Sequence, residues 1–227
     1  MPAYGGDCME KYLRATRYLD HDNPAVAARG KEFLEQYPDP RERAVALFYH
    51  IRDGIRYNPY VNIFDERIYI ASNVLRLDSC FCVPKAIALA SLCRATGIPA
   101  RLRFATMQNL LVPENLKAVM RTDVFYGHGF AELLIGDSWV KATPSFDAGM
   151  CARYGYRTIE FDGVHDALLP ERDLEGRPHV VYIEYFDSYD DVPFEWLQAV
   201  YIKGYGEIRH LIDSGMSAEQ IRERAEG

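Results

Sequence analysis

Between Val83 and Ala95 the chain carries only two charged residues, Lys85 and Arg94. A helix over this stretch is apolar almost all round, the pattern of one enclosed by the rest of its own protein. Everything else therefore has to be arranged to cover it. Pro84 suits a first helical turn, where a missing N–H costs nothing, and Gly97 followed by Ile98-Pro99 is a C-terminal stop. Cys82 then falls at the positive end of the helix, where unpaired backbone N–H groups and the macrodipole favour a thiolate over a thiol.

Two amphipathic helices are predicted ahead of it. Asn23-Pro24 reads as a cap and first helical position for a helix running to about Tyr37. Asp39-Pro40-Arg41-Glu42 is a close relative of the capping box, and Ala44, Phe48, Ile51 and Ile55 form an apolar stripe behind it, on a helix ending near Gly54. Arg56 to Asn62 reads as an extended polar-aromatic segment, since Pro59 biases Asn58 away from helix. Its tyrosines suit a half-buried wall or the lining of a cleft.

Past the core helix, Arg101-Leu102-Arg103-Phe104-Ala105-Thr106 alternates as a half-buried strand does. Met107 to Tyr126 reads as an insertion containing a short helix from Pro113 to Met120, placed to shape a substrate cleft. Gly127 to Thr143 reads as a hairpin around Gly136-Asp137. Counting outward from that turn pairs Ile135 with Ser138, Leu134 with Trp139, Glu132 with Lys141 and Phe130 with Thr143. Side chains alternate along strands, so His128, Phe130, Glu132, Lys141 and Thr143 share one face, and Glu132 and Lys141 are expected to form a cross-strand ion pair. Further on, Arg177 to Phe186 reads as a strand, Pro193 opens a helix extending to Leu211-Ile212, and Ser217 to Ile221 starts a last short one.

The run from Cys82 to Ala100, with the cysteine fifteen residues before Gly97-Ile98-Pro99, resembles the core motif of the transglutaminase-like superfamily of papain-type cysteine enzymes. Gly127-His128-Gly129-Phe130-Ala131-Glu132-Leu133 resembles that superfamily's histidine strand. Gly136-Asp137-Ser138-Trp139-Val140-Lys141-Ala142-Thr143-Pro144-Ser145 resembles its Trp…Asp-Pro-Thr strand, with Thr143 where the family usually has aspartate. The resemblance covers Tyr57 to Asp147. It implies an α+β, papain-like fold with the nucleophile helix packed on an antiparallel sheet. It also implies Cys82 as thiol nucleophile, His128 as base and Thr143 as third member of a catalytic triad, acting on amide bonds through a thioester. Hydrolysis, as in a peptidase or amidase, is favoured over transfer to an amine. Asp147, four residues on, is the alternative orienter of His128, and Cys80 the rival nucleophile, although it precedes the helix and loses the dipole. The orienter matters because a threonine hydroxyl accepts a hydrogen bond from the imidazole but carries no charge to stabilise the imidazolium.

Length and composition bound the rest. At 227 residues with 48% hydrophobic and 26% charged residues, the chain suits one domain of 1–227, with a helical N-terminal segment over residues 1–56, a motif core over 57–147 and a C-terminal segment over 148–227. A formal charge of −7 argues against unspecific nucleic-acid or anionic-membrane binding. No run approaches the roughly 20 apolar residues of a bilayer span, and no basic-then-apolar leader stands at the start. Five irregularly placed cysteines do not read as a disulfide framework, so a cytoplasmic protein is expected. The expected partner is a peptide or small amide substrate, with no cofactor and no metal. Cys80, Cys82 and His128 lack zinc-like spacing. The oligomeric state is open. The rival reading is a non-catalytic peptide-binding module that keeps the fold.

Overall fold

The computed structural model describes residues 9–213 and Gln220. Helix α1 (Pro24–Gln36) is capped by Asn23, whose side chain accepts from the Ala25 N–H. Asp39 caps α2 (Pro40–Gly54) by accepting from the Arg41 and Glu42 N–H groups. Both starts are therefore the ones their proline-led sequences predict. Ala44, Phe48, Ile51 and Ile55 of this stripe are buried in the core.

Short strand β1 (Arg56–Tyr57) pairs in parallel with β2 (Ser79–Cys80), and a 3-10 turn (Glu66–Tyr69) and helix α3 (Ala71–Val74) lie between them. Helix α4 (Cys82–Ala95) follows, with every residue from Cys82 to Arg94 buried. Its two charges are satisfied inside the protein. Lys85 Nζ donates to the carbonyls of Arg52 (2.8 Å) and Ile55 (2.5 Å), where α2 ends. A cation at a helix C-terminus, filling carbonyls the helix leaves open, is a favourable way to bury an ammonium group. Arg94 donates to the carbonyls of Arg14, Ala100 and Asp190. It thereby ties the end of α4 to three separate segments.

The remaining strands form an antiparallel sheet in the order β5-β4-β3-β6, built from β3 (Ala100–Asn109), β4 (Val124–Ile135), β5 (Ser138–Ala142) and β6 (Val180–Tyr189). Helix α5 (Glu114–Met120) lies in the connection between β3 and β4, α6 (Ala148–Tyr154) follows β5, and α7 (Phe194–Asp213) follows β6. The α+β, papain-like expectation holds: α4 packs on the sheet, chiefly on β4.

The register differs from expectation in places, each for a local reason. The hairpin pairs Ile135 with Ser138, Leu134 with Trp139 and Glu132 with Lys141, but its ladder ends at Ala131 and Ala142, one pair short of Phe130 and Thr143. Ala142 bridges instead to Ala167, and the Thr143 N–H donates to the Ala167 carbonyl. The expected Glu132–Lys141 ion pair is replaced. Glu132 is met by Arg101 (2.6 Å) and Arg103 (3.1 Å) from β3, and Lys141 by Asp166. Two arginine forks reach a buried carboxylate with more donors than one ammonium offers. The strand predicted from Arg177 begins at Val180, because Asp173 accepts the Glu175 and Arg177 N–H groups and folds that stretch into a loop. Of the predicted helix from Ser217 to Ile221, all but Gln220 lies outside the described residues.

Candidate active site

Cys82 is the first residue of α4 and follows a helix cap, Phe81, that makes no side-chain capping bond. The backbone N–H groups of Cys82 and Val83 face the sulfur. So does that of Gly129 on β4, which brings the histidine strand to the helix start. Gly129 is required there: a Cβ on it would stand 2.8 Å from Val83 Cγ2 and 3.3 Å from Val83 Cα. The neighbouring Gly127 serves a different need. Ala105 pairs with His128 but Met107 pairs with Phe125, so Tyr126 and Gly127 together oppose Thr106 in a β-bulge, with Gly127 at φ +66°. A bulge of this kind kinks the strand and re-aims the side chain that follows it. Here that side chain is His128.

Cys82 and His128 line one cavity of about 70 Å³. Its other walls come from the extended segment (Tyr57, Pro59, Val61), from Ile63 just after it, and from α5 (Leu116, Val119, Met120). Tyr201 and Tyr205 of α7 close it, and Tyr205 Oη accepts from the Tyr126 N–H at 2.7 Å. The tyrosine-rich segment Arg56–Asn62 thus lines a cleft, and so does the insertion helix. Three aromatic residues near the sulfur, Tyr182, Tyr201 and Tyr205, come from stretches of the sequence that carry no motif. Only their proximity in the fold marks them.

Both catalytic candidates are nearly closed off from water, Cys82 at 5% and His128 at 1% exposure. Burial outweighs the facing N–H groups, so the Cys82 thiol is pushed up to about 11 rather than down. Burial also holds the His128 imidazole down at about 3. The thiolate that the helix position alone predicts is therefore not the resting form; the resting pair is a neutral thiol and a neutral imidazole, because removing a charge from water costs more than the helix end returns. Neither ring nitrogen of His128 has a hydrogen-bond partner, the sulfur included. The ring packs against Phe130 and Tyr182, with centroids 6.2 and 6.0 Å away.

Thr143 is fully buried and its Oγ1 is likewise unpartnered. Beside it stands the Tyr182 hydroxyl, which accepts from the Leu169 N–H at 3.3 Å. Asp147 is committed elsewhere. Its carboxylate accepts from the Tyr57 N–H and the Met150 N–H, both at 2.8 Å, capping α6 and tethering the cavity wall. Cys80 lies in β2, buried, with its thiol pushed up to about 12, mainly by burial. Among the described residues no group of three His, Cys, Asp or Glu side chains is placed to hold a metal ion, and no helix is long and apolar enough to cross a membrane.

A helix that opens on a cysteine, laid against an antiparallel sheet with a histidine facing the same cavity, defines the papain-like α+β core of cysteine enzymes. The chain belongs to the transglutaminase-like superfamily, whose family model matches residues 27–144. Among solved structures it is similar to a candidate cysteine protease from Cytophaga hutchinsonii, with a TM-score of 0.49 and 16% identity over 83% of this chain. The chain spans 57% of the length of that structure. No curated protein matches it.

Proposed function

We propose that the chain is a cysteine-dependent acyl-transfer enzyme that cleaves amide bonds through a thioester, with water as the final acceptor. The observation that carries the reading is the shared cavity. Cys82 and His128 both line it from different elements, and the imidazole has two nitrogens left free for a substrate or the sulfur. Two unsatisfied buried ring nitrogens are costly unless a reaction uses them.

In the proposed cycle Cys82 Sγ attacks the amide carbon while its proton passes to His128. The carbonyl oxygen becomes an oxyanion facing the Cys82 backbone N–H. His128 then gives that proton to the leaving amine as the C–N bond breaks, and a thioester remains on Cys82. Water attacks the thioester with His128 again taking the proton, and the acid leaves as the thiol is restored. Thr143 is the proposed third member by its position; its Oγ1 makes no hydrogen bond to the ring in this structure, and Asp147 is already engaged by two backbone amides. Helix α5 is the proposed shaper of substrate preference.

The second reading, a peptide-binding module without catalysis, is favoured by one specific observation, the near-complete burial of both Cys82 and His128. Mass spectrometry after exposure to p-nitrophenyl esters separates the two. An enzyme accumulates a single acyl group on Cys82, lost with time in the native protein and retained in His128→Ala, and Cys82→Ala takes up none. Absence of acylation on Cys82 in the native protein would overturn the enzymatic reading.

A further inference from the structure

Every side chain lining the Cys82 cavity is uncharged at neutral pH, among the described residues. This is not a shortage of charge in the chain, of which 26% is charged; it is a segregation of charge away from one wall. An ionic group placed there would lose its water and find no opposite charge, which costs far more than an apolar group gains. The cavity holds about 70 Å³, under half the ~150 Å³ of an apolar cavity that accepts benzene, so it suits a short aliphatic group.

The same cavity is not uniformly greasy. The imidazole of His128 has both nitrogens unpartnered, and the buried Tyr201 hydroxyl has Tyr69 as its polar neighbour, whose own hydroxyl donates to the Ile63 carbonyl. Tyr201 is 2% exposed. An apolar wall with a few polar groups among its lining residues is the arrangement of a small-ligand site. Tyr201 also lies beyond the span 27–144 that the family model matches.

We infer that this cavity is an acyl-donor pocket for amides bearing a short, uncharged aliphatic side chain, with Tyr201 Oη as a polar anchor for the amide group. The inference rests on the reading of Cys82 as nucleophile, but its pocket can be tested without turnover. Cys82→Ala protein is titrated calorimetrically with the N-methylamides of N-acetyl-valine, N-acetyl-aspartate and N-acetyl-lysine. The valine ligand is expected to bind at least ~30-fold more tightly than either charged one, from burial of one aliphatic side chain. Tyr201→Phe in the same background is expected to weaken the valine ligand roughly 5-fold, the size of one neutral hydrogen bond. Val119→Lys is expected to raise affinity for the aspartate ligand about 10-fold, by supplying the missing opposite charge. Equal affinity for all three ligands, preference for a charged one, or no binding of any overturns the pocket. Valine-selective binding with no turnover of the same amides by the native protein overturns the acyl-transfer reading and leaves the pocket standing.

Discussion

Gly129 and Val83 approach so closely that a methyl group on the glycine would reach Val83 Cγ2 at 2.8 Å and Val83 Cα at 3.3 Å. The contact joins the histidine strand to the first turn of the cysteine helix. Gly129→Ala is therefore expected to push the two apart by a few tenths of an ångström, moving His128 relative to Cys82. The destabilisation should be about 1–3 kcal/mol, the usual cost of overpacking a core. Urea midpoints would report it, together with a fall in the rate of acylation at Cys82. An alanine variant with native stability and native acylation would show that the contact does not set the site.

Thr143 tests the proposed third position. A carboxylate next to a buried imidazole favours the charged ring, so Thr143→Asp is expected to raise the His128 pKa from about 3 and shift the acid limb of kcat/KM upward. Thr143→Val should leave that limb low and reduce kcat about 10-fold, with Thr143→Ser restoring most of it. A pH profile unmoved by Thr143→Asp would mean that position 143 does not face the ring.

Asp147 is expected to matter for stability rather than chemistry. Removing its carboxylate leaves the Tyr57 and Met150 N–H groups without their partner, so Asp147→Ala should cost about 1–2 kcal/mol, as lost caps do. The pH dependence of kcat should keep its shape. A changed profile in this variant would transfer the orienting role from Thr143 to Asp147.

Two buried histidines set a dependence of stability on acid. Burial holds His128 at about 3 and His179 at about 4, against 6.5 for the free side chain. Above pH 6.5 folded and unfolded chains both carry these rings neutral, and nothing is lost. As pH falls below 6.5 the unfolded chain takes up protons that the folded chain refuses, and stability declines until the folded pKa values are reached. At pH 5 the linkage predicts about 2 kcal/mol lost per ring relative to neutral pH. Urea unfolding at pH 5 and 7.5 measures it, and His179→Gln should remove its share. Identical midpoints at the two pH values would contradict the burial of these neutral rings.

Lys85 is expected to show how a buried ammonium holds the fold. Its pKa is lowered to about 8, mainly by burial, and its Nζ fills two carbonyls at the end of α2. Lys85→Met preserves the apolar stem but orphans both acceptors, so a loss of about 1–3 kcal/mol is expected. The denaturant midpoint should fall with an unchanged slope. A variant as stable as the native protein would mean that those carbonyls find other partners.

The elements of this protein were written locally. Proline-led caps at Asn23 and Asp39, an apolar helix behind Cys82, a hairpin around Gly136-Asp137 and a histidine flanked by glycines are all short-range signals, and short-range physics decides them. The sequence by itself therefore determined where the long helices and the four strands of the antiparallel sheet lie, the family, and the residues Cys82, His128 and Thr143 as candidates, but not the short helices Ala71–Val74 and Ala148–Tyr154. It also carried Gly127 and Gly129, but not what each was for: one takes a bulge at positive φ, the other admits a helix.

Only the tertiary structure decided the electrostatics. The position of Cys82 at a helix start argues for a thiolate, yet burial of the sulfur wins, because desolvation depends on everything packed around the atom and not on its neighbours in sequence. Tertiary structure also chose the partners of Glu132, committed Asp147 to a cap, and brought Tyr201 and Tyr205 from a distant helix to the cysteine. Those contacts join residues far apart along the chain, and no local pattern encodes them.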